Sequence, residues 1–105
     1  MPSARRQEVT AIIYDKHGRI LSIGKNSYFK THPYQKLLAE KCNKPDKIFI
    51  HAEVDAILKC RRLDKAHKIF ISRFSVAGKP VNAKPCEICA EAIRLAGIKN
   101  VTYTI

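Results

Sequence analysis

Two short stretches carry residue types that can bind an ion and move protons: His51-Ala52-Glu53 and Pro85-Cys86-Glu87-Ile88-Cys89. Cys86 and Cys89 are three positions apart, so on a helix start their sulfurs share one face and can grip the same ion. One imidazole and two thiolates make three protein ligands. That set leaves a fourth tetrahedral position for water or substrate, the arrangement of a catalytic zinc rather than a structural one. Both stretches read as helix starts, where oriented backbone N–H groups favour anions, thiolate included. Zinc can lower the pKa of a water from about 15.7 to near 7. Glu53, two residues from a ligand, is placed to take that proton and hand it on.

Other readings of the same residues are weaker. A His-x-Glu alone carries almost no information, and a Cys-x-x-Cys can be a redox pair. Thioredoxin-like redox pairs follow the first strand, however, whereas this one lies near the end of the chain. A zinc knuckle needs more thiolates than the two that sit close together. His17, His32 and His67 lie in polar surroundings and read as solvated. Cys42 and Cys60 lack metal-ligand spacing and read as small buried hydrophobes.

The elements that must position these residues alternate between strand and helix. Val9–Tyr14 is a β-branched apolar run, Asp15-Lys16-His17-Gly18 is a turn by composition, and Arg19–Gly24 returns, so a hairpin is expected. Asn26 to Pro33 is irregular. Tyr34, Leu37, Leu38 and Lys41 follow helical spacing, ended by Asn43 and Pro45. After the apolar segment Ile48–Ile50, a second helix is expected from Ala52 to Arg62 with Val54, Ile57 and Leu58 on one face. Lys68–Phe74 reads as a buried strand and Ser75–Lys84 as a loop. A third helix starts at Pro85 with Ile88, Ala92 and Leu95 inward, and Gly97 stops it. Val101, Tyr103 and Ile105 alternate as a last strand. A hairpin followed by helix–strand units argues for an α/β fold, a mixed sheet with helices on both faces.

The 105 residues, 46% hydrophobic and 28% charged, suit a single domain over residues 1–105. No apolar run approaches the roughly 18 residues that span a bilayer. The polar stretch Met1 to Glu8 lacks the apolar segment of a signal peptide. A soluble protein of the cytoplasm is the expectation, with no membrane partner. Twenty Lys and Arg against nine Asp and Glu leave a formal +11. From Lys16 to Lys47 there are eight basic residues and two acidic, and from Lys59 to Arg73 six against Asp64 alone. Such a balance fits either a solvated surface or a phosphate-bearing partner.

His51-Ala52-Glu53 with Pro85-Cys86-x-x-Cys89 resembles the signature of the zinc-dependent cytidine and deoxycytidylate deaminase superfamily. The order of strands, helices and motifs resembles that fold over most of the chain. Ala96-Gly97-Ile98-Lys99-Asn100-Val101 is similar to the branch that holds deoxycytidylate, tRNA-adenosine and polynucleotide cytidine deaminases. In that branch the strand after the third helix runs parallel to its predecessor. The resemblance implies a cytidine deaminase-like mixed sheet in the order 2-1-3-4, of about four strands in this chain. It implies His51, Cys86 and Cys89 as ligands of one Zn2+ per chain and Glu53 as proton shuttle. It also implies Asn26 at the sugar or base, where a turn-forming Asn is the plain alternative, and the backbone N–H of Ala52 at the base.

The sequence departs from the family pattern in three ways. Lys84 stands before Pro85 where a small hydroxyl residue is usual. The Ser75–Lys84 loop is longer than the tight connection of the tRNA-adenosine type. Nothing after Ile105 supplies a fifth strand, so Val101–Ile105 is expected to present an open edge and to favour a homo-oligomer. Two functional classes follow. One is deamination of a free cytosine nucleoside or nucleotide. The other is deamination of cytosine or adenine within single-stranded DNA or RNA, with Tyr28, Phe29 and Tyr34 as stacking candidates. A zinc-stabilised module without catalysis is a third reading, against which the presence of Glu53 argues.

Overall fold

The computed structural model describes residues 8–105; the polar N-terminal stretch, apart from Glu8, lies outside the described residues. The elements run β1 (Glu8–Tyr14), β2 (Ile20–Lys25), α1 (Pro33–Lys41), α2 (Ala52–Lys59), a 3-10 turn (Leu63–Lys65), β3 (Lys68–Phe74), α3 (Glu87–Leu95) and β4 (Asn100–Tyr103). They form one four-stranded sheet in the order β2-β1-β3-β4. β1 is antiparallel to both β2 and β3, and β4 is parallel to β3. The mixed α/β architecture and the strand order agree with the expectation.

The hairpin closes because Asp15 acts on its own turn. Its Oδ1 accepts the backbone N–H groups of His17 at 2.8 Å and Arg19 at 2.9 Å, and Gly18 takes the left-handed φ of 82°. Along β1 and β3 the alternation puts Ala11, Ile13, Ile69 and Ile71 on one fully buried face. Ser22 and Gly24 of β2 lie in register with Ile13 and Ala11 and share that face. α2 packs on β1 and β2, α3 packs on α2, and α1 packs on α3. Val54, Ala56, Ile88 and Ala92 are completely buried between these layers.

The expectation of helices on both faces is not met. On the other face Thr10, Ile12, Tyr14, Phe70 and Ser72 stay half-exposed, and Ile20 and Ile23 are 56% and 47% exposed. Among the described residues no helix covers it. The apolar stripes of the three helices are consumed against one another and against a single sheet face.

Element ends differ from the expectation for local reasons. α2 stops at Lys59 rather than Arg62, because Cys60 is extended. Beyond it the Arg62 side chain binds Asp64 through two hydrogen bonds. α3 begins at Glu87, with Cys86 as its N-cap and Pro85 outside it. Ile93 faces inward and Leu95 is 49% exposed. In α1 the buried residues are Gln35, Leu38 and Ala39, while Leu37 is exposed. Leu58 and Ile105 are likewise exposed. Asn43, with φ of 60°, and Gly97, with φ of 78°, end α1 and α3 as expected.

Two histidines read as solvated have structural partners. The His32 Nδ1 accepts the Tyr34 N–H at 3.0 Å and caps α1. His67 pairs with Asn100 at 3.2 Å. Cys60 is buried and Cys42 half-buried against the core, in keeping with their reading as small hydrophobes.

Candidate metal centre

The packing of α2 on α3 brings their N-termini together. His51 is the N-cap of α2 and Cys86 the N-cap of α3, both extended, and neither side chain caps its own helix. Ser, Thr, Asp or Asn is usual at such positions because a side-chain oxygen satisfies an orphan N–H. Here the side chains turn toward each other instead. The His51 Nδ1 lies 3.1 Å from the Cys89 Sγ and 3.5 Å from the Cys86 Sγ. All three donor atoms lie within 4.8 Å of one another.

The arrangement fits a zinc ion. With Zn–N near 2.0 Å and Zn–S near 2.3 Å, tetrahedral ligands place N and S about 3.5 Å apart and two sulfurs about 3.8 Å apart. One nitrogen and two sulfurs are also a donor set that zinc favours. The sulfurs have unlike surroundings, Cys89 being fully buried and Cys86 exposed. The Cys89 thiol donates to Cys86, and His51 adds its own hydrogen bond, holding Cys86 as a thiolate with a pKa of about 3. Cys89 is pushed well up by its hydrogen bond to Cys86 and by burial. The hydrogen bond to Cys86 also raises His51. Two sulfurs that hold one proton between them release it when a cation binds.

Glu53 sits on the first turn of α2 and is 6% exposed. Burial raises its carboxyl above the usual range, opposed by its own backbone N–H and by Cys89. A carboxyl raised in this way is suited to exchanging protons near neutral pH.

A polar residue outside both motifs holds the backbone that carries the imidazole. Gln35 of α1 is completely buried; its Oε1 accepts the His51 N–H and its Nε2 donates to the Lys47 carbonyl, each at 3.2 Å. It clamps the segment that delivers His51. The sequence signal for it is slight: a glutamine three positions before Leu38, on the helix face that Leu38 buries.

A cavity of about 500 Å³ opens onto the centre, with His51, Ala52, Glu53 and Cys86 in its wall. Asn26 and Ala52, the expected substrate contacts, both line it. The Asn26 Oδ1 accepts the Val9 N–H at 3.1 Å, so that oxygen ties β1 to the chain leaving β2. Of the three aromatic candidates only Tyr28 lines the cavity, joined by Phe49; Tyr34 packs against the core and Phe29 is 74% exposed. Lys47, Arg73 and Lys84 line it as well, against the single exposed carboxylate of Asp46. No helix is long and apolar enough to cross a membrane among the described residues.

No curated protein gives a significant match to the chain. The family model for the cytidine and deoxycytidylate deaminase zinc-binding region does match, over residues 3–105. That span takes in both helix starts, the cavity and every strand of the sheet, and the chain belongs to this family.

Proposed function

We propose that the chain is a single zinc-dependent deaminase domain that converts a cytosine nucleoside or nucleotide to its uracil form with release of ammonia. The observation that carries this reading is Glu53, a buried carboxyl beside three clustered donors in a cavity of about 500 Å³, a size suited to a small ligand. His51, Cys86 and Cys89 would hold the ion, which when bound supplies Lewis acidity that makes a water nucleophilic near neutral pH.

The protein's own groups account for the proton traffic. The Glu53 carboxylate takes a proton from the attacking water as its oxygen bonds to C4 of the base, and passes that proton to N3. It then carries the second water proton to the exocyclic nitrogen. The C4–N bond breaks and ammonia leaves, so one water is consumed for each ammonia released. The Ala52 N–H belongs to the first turn of α2, whose N–H groups lack intrahelical acceptors, and is assigned to the base. Asn26 is assigned to the sugar. Lys47, Arg73 and Lys84 suit a 5′-phosphate at the cavity wall.

A second reading, deamination of a base within single-stranded DNA or RNA, has its support in Phe29. This ring is 74% exposed and follows Tyr28 at the cavity, where a neighbouring base could stack. The reading extends to a cytoplasmic enzyme with one Zn2+ per chain, and to a homo-oligomer joined through the β4 edge, which light scattering tests.

The deciding experiment measures ammonia and identifies the base product by mass. Its panel holds cytidine, deoxycytidine, CMP, dCMP, adenosine and a cytosine-containing single-stranded oligonucleotide. Turnover of a free cytosine compound supports the first reading, and turnover of the oligonucleotide alone supports the second. Glu53→Ala should lose at least about 10³-fold in kcat while keeping its zinc. Failure of zinc-loaded protein to release ammonia from any substrate overturns both readings.

A further inference from the structure

A second cavity, of about 740 Å³, lies at the other end of the sheet. One wall is the β1–β2 turn with Lys16, His17 and Arg19. The facing wall is the connection from α2 to β3 with Arg62, Lys65 and His67. β1 and β3, each of seven residues, run from this cleft to the metal centre. At about 3.3 Å per residue the two cavities lie roughly 20 Å apart.

The carboxylates in the cleft are already engaged. Asp15 spends Oδ1 on the two N–H groups of its own turn, which hold its carboxyl below the usual range. Asp64 is bound by Arg62 through Nε at 3.2 Å and Nη2 at 3.0 Å. Lys16, Arg19 and Lys65 form no ion pair among the described residues. The two walls are tied, since the His67 N–H donates to the Tyr14 carbonyl at 2.8 Å. Asn100 holds His67 from outside, bonding both its ring and its carbonyl oxygen at 3.2 Å. Lys16, Arg19, Arg62 and Lys65 outnumber the ionised Asp15 and Asp64 four to two, so the two braced walls carry a net positive charge that repels metal ions and suits a multiply charged oxyanion.

We propose that this cleft, formed by Lys16, Arg19 and Lys65 at the far end of the sheet, binds a phosphate-bearing ligand distinct from the base that reaches the metal centre. Both a free polyphosphate group and the phosphodiester backbone of a single strand have this chemistry. Occupancy of the cleft is independent of the reaction catalysed at the metal centre and is read from binding alone.

The test is calorimetric titration of the zinc-loaded full chain with sodium tripolyphosphate and, separately, with a cytosine-free oligothymidylate, at low and moderate salt. The parent is compared with the pair Lys16→Gln, Lys65→Gln and with a control pair, Lys36→Gln, Lys79→Gln. The control lysines are exposed and line neither cavity. Zinc content and far-ultraviolet circular dichroism serve as the check of folding. The cleft pair should weaken binding at least about tenfold. For the strand it should also reduce the slope of log K against log salt by about 1.4, or 0.7 for each phosphate no longer neutralised. The control pair should retain parental affinity. Binding of tripolyphosphate alone identifies a compact polyphosphate ligand, and binding of the strand alone identifies a backbone. If neither probe binds below the millimolar range, or both pairs weaken binding equally, the cleft is no site.

Discussion

Gly24 decides how closely α2 can approach the sheet, and a single methyl group there should disable the metal centre from a distance. The residue lies on the buried face of β2, opposite α2, with a backbone conformation open to any amino acid. Its constraint is therefore steric. A Cβ at Gly24 would overlap the Ala56 nitrogen and the Ala52 carbonyl oxygen and lie 2.7 Å from the Ala56 Cα. Ordinary carbon–carbon contact is about 3.5–4.0 Å, so α2 must retreat by roughly 1 Å. Every atom in the way is backbone, so no side chain can swing aside. Overpacking typically costs about 1–3 kcal/mol, and Gly24→Ala belongs at the upper end of that range or beyond it. The same movement displaces Ala52 and the adjoining His51 and Glu53, and a misplacement of about 1 Å can cost on the order of 10²-fold in rate. Urea denaturation gives the stability, metal analysis the zinc stoichiometry, and ammonia release the rate. Gly97→Ala is the comparison: its φ of 78° makes alanine strained by about 1–2 kcal/mol, yet the space around it is open and it lies beyond the C-terminus of α3. Gly97→Ala should lose stability and keep its zinc. If Gly24→Ala matches the parent within about 0.5 kcal/mol and binds zinc equally, the close approach of α2 does not set the site.

Gln35→Leu should lower stability by about 1–3 kcal/mol, because it strips partners from the His51 N–H and the Lys47 carbonyl; a weakened zinc affinity in competition with a chelator should accompany the loss. Cys86→Ser should lose both zinc and turnover, and full zinc occupancy in that variant would show the donor set to be wrong. Glu91 of α3 accepts hydrogen bonds from Arg94 and from Lys41 of α1, which hold its pKa at about 2. A depressed carboxyl contributes stability that is complete above its unfolded value near 4.5 and lost as pH falls toward 2. The difference in Tm between the parent and Glu91→Gln should accordingly be present at pH 6 in low salt, shrink in high salt, and vanish near pH 2. Chelation of zinc should lower Tm while leaving the far-ultraviolet spectrum in place, since the buried core involves only one of the three donors, Cys89.

The donor cluster and the carboxyl beside it were legible because they sit in short motifs whose spacing is local: three positions between two sulfurs, two between an imidazole and a carboxyl. The strand order came through the resemblance that those motifs carry. What stayed hidden depends on contacts between distant segments. Gln35 lies outside both motifs, and its burial follows only from the docking of α1 beside the His51 segment. Phe49 reads as one residue of a short apolar run and joins the cavity only once that run is bridged to Thr31. Leu37, Leu58 and Leu95 obey helical spacing, yet each falls at an edge of the stripe that its neighbours bury. Periodicity reports that a strand has an apolar face and is silent on which layer covers it. The succession of a hairpin and helix–strand units therefore suggested a second helical layer that the described residues do not contain.

The two helix starts at the centre exchange local stability for electrostatics. An oxygen side chain at position 51 or 86 would satisfy an N–H of α2 or α3, and its absence costs each helix about 1 kcal/mol. A capping oxygen would also occupy the N–H groups that make a helix start electropositive. With His51 and Cys86 turned toward each other, two helix N-termini instead face a volume in which all donor atoms lie within 4.8 Å. That field favours the Cys86 thiolate, and it favours any anionic oxygen that develops beside Glu53. The stability forgone at the caps has to be supplied by packing, and the contacts beneath the site have that character: Ala52, Ala56, Cys89 and Ala92 are all fully buried, and Gly24 lets backbone meet backbone. Small residues in close contact leave little room for adjustment. The same feature that makes Gly24 intolerant of a methyl group therefore keeps the donors in register without a cap at either helix.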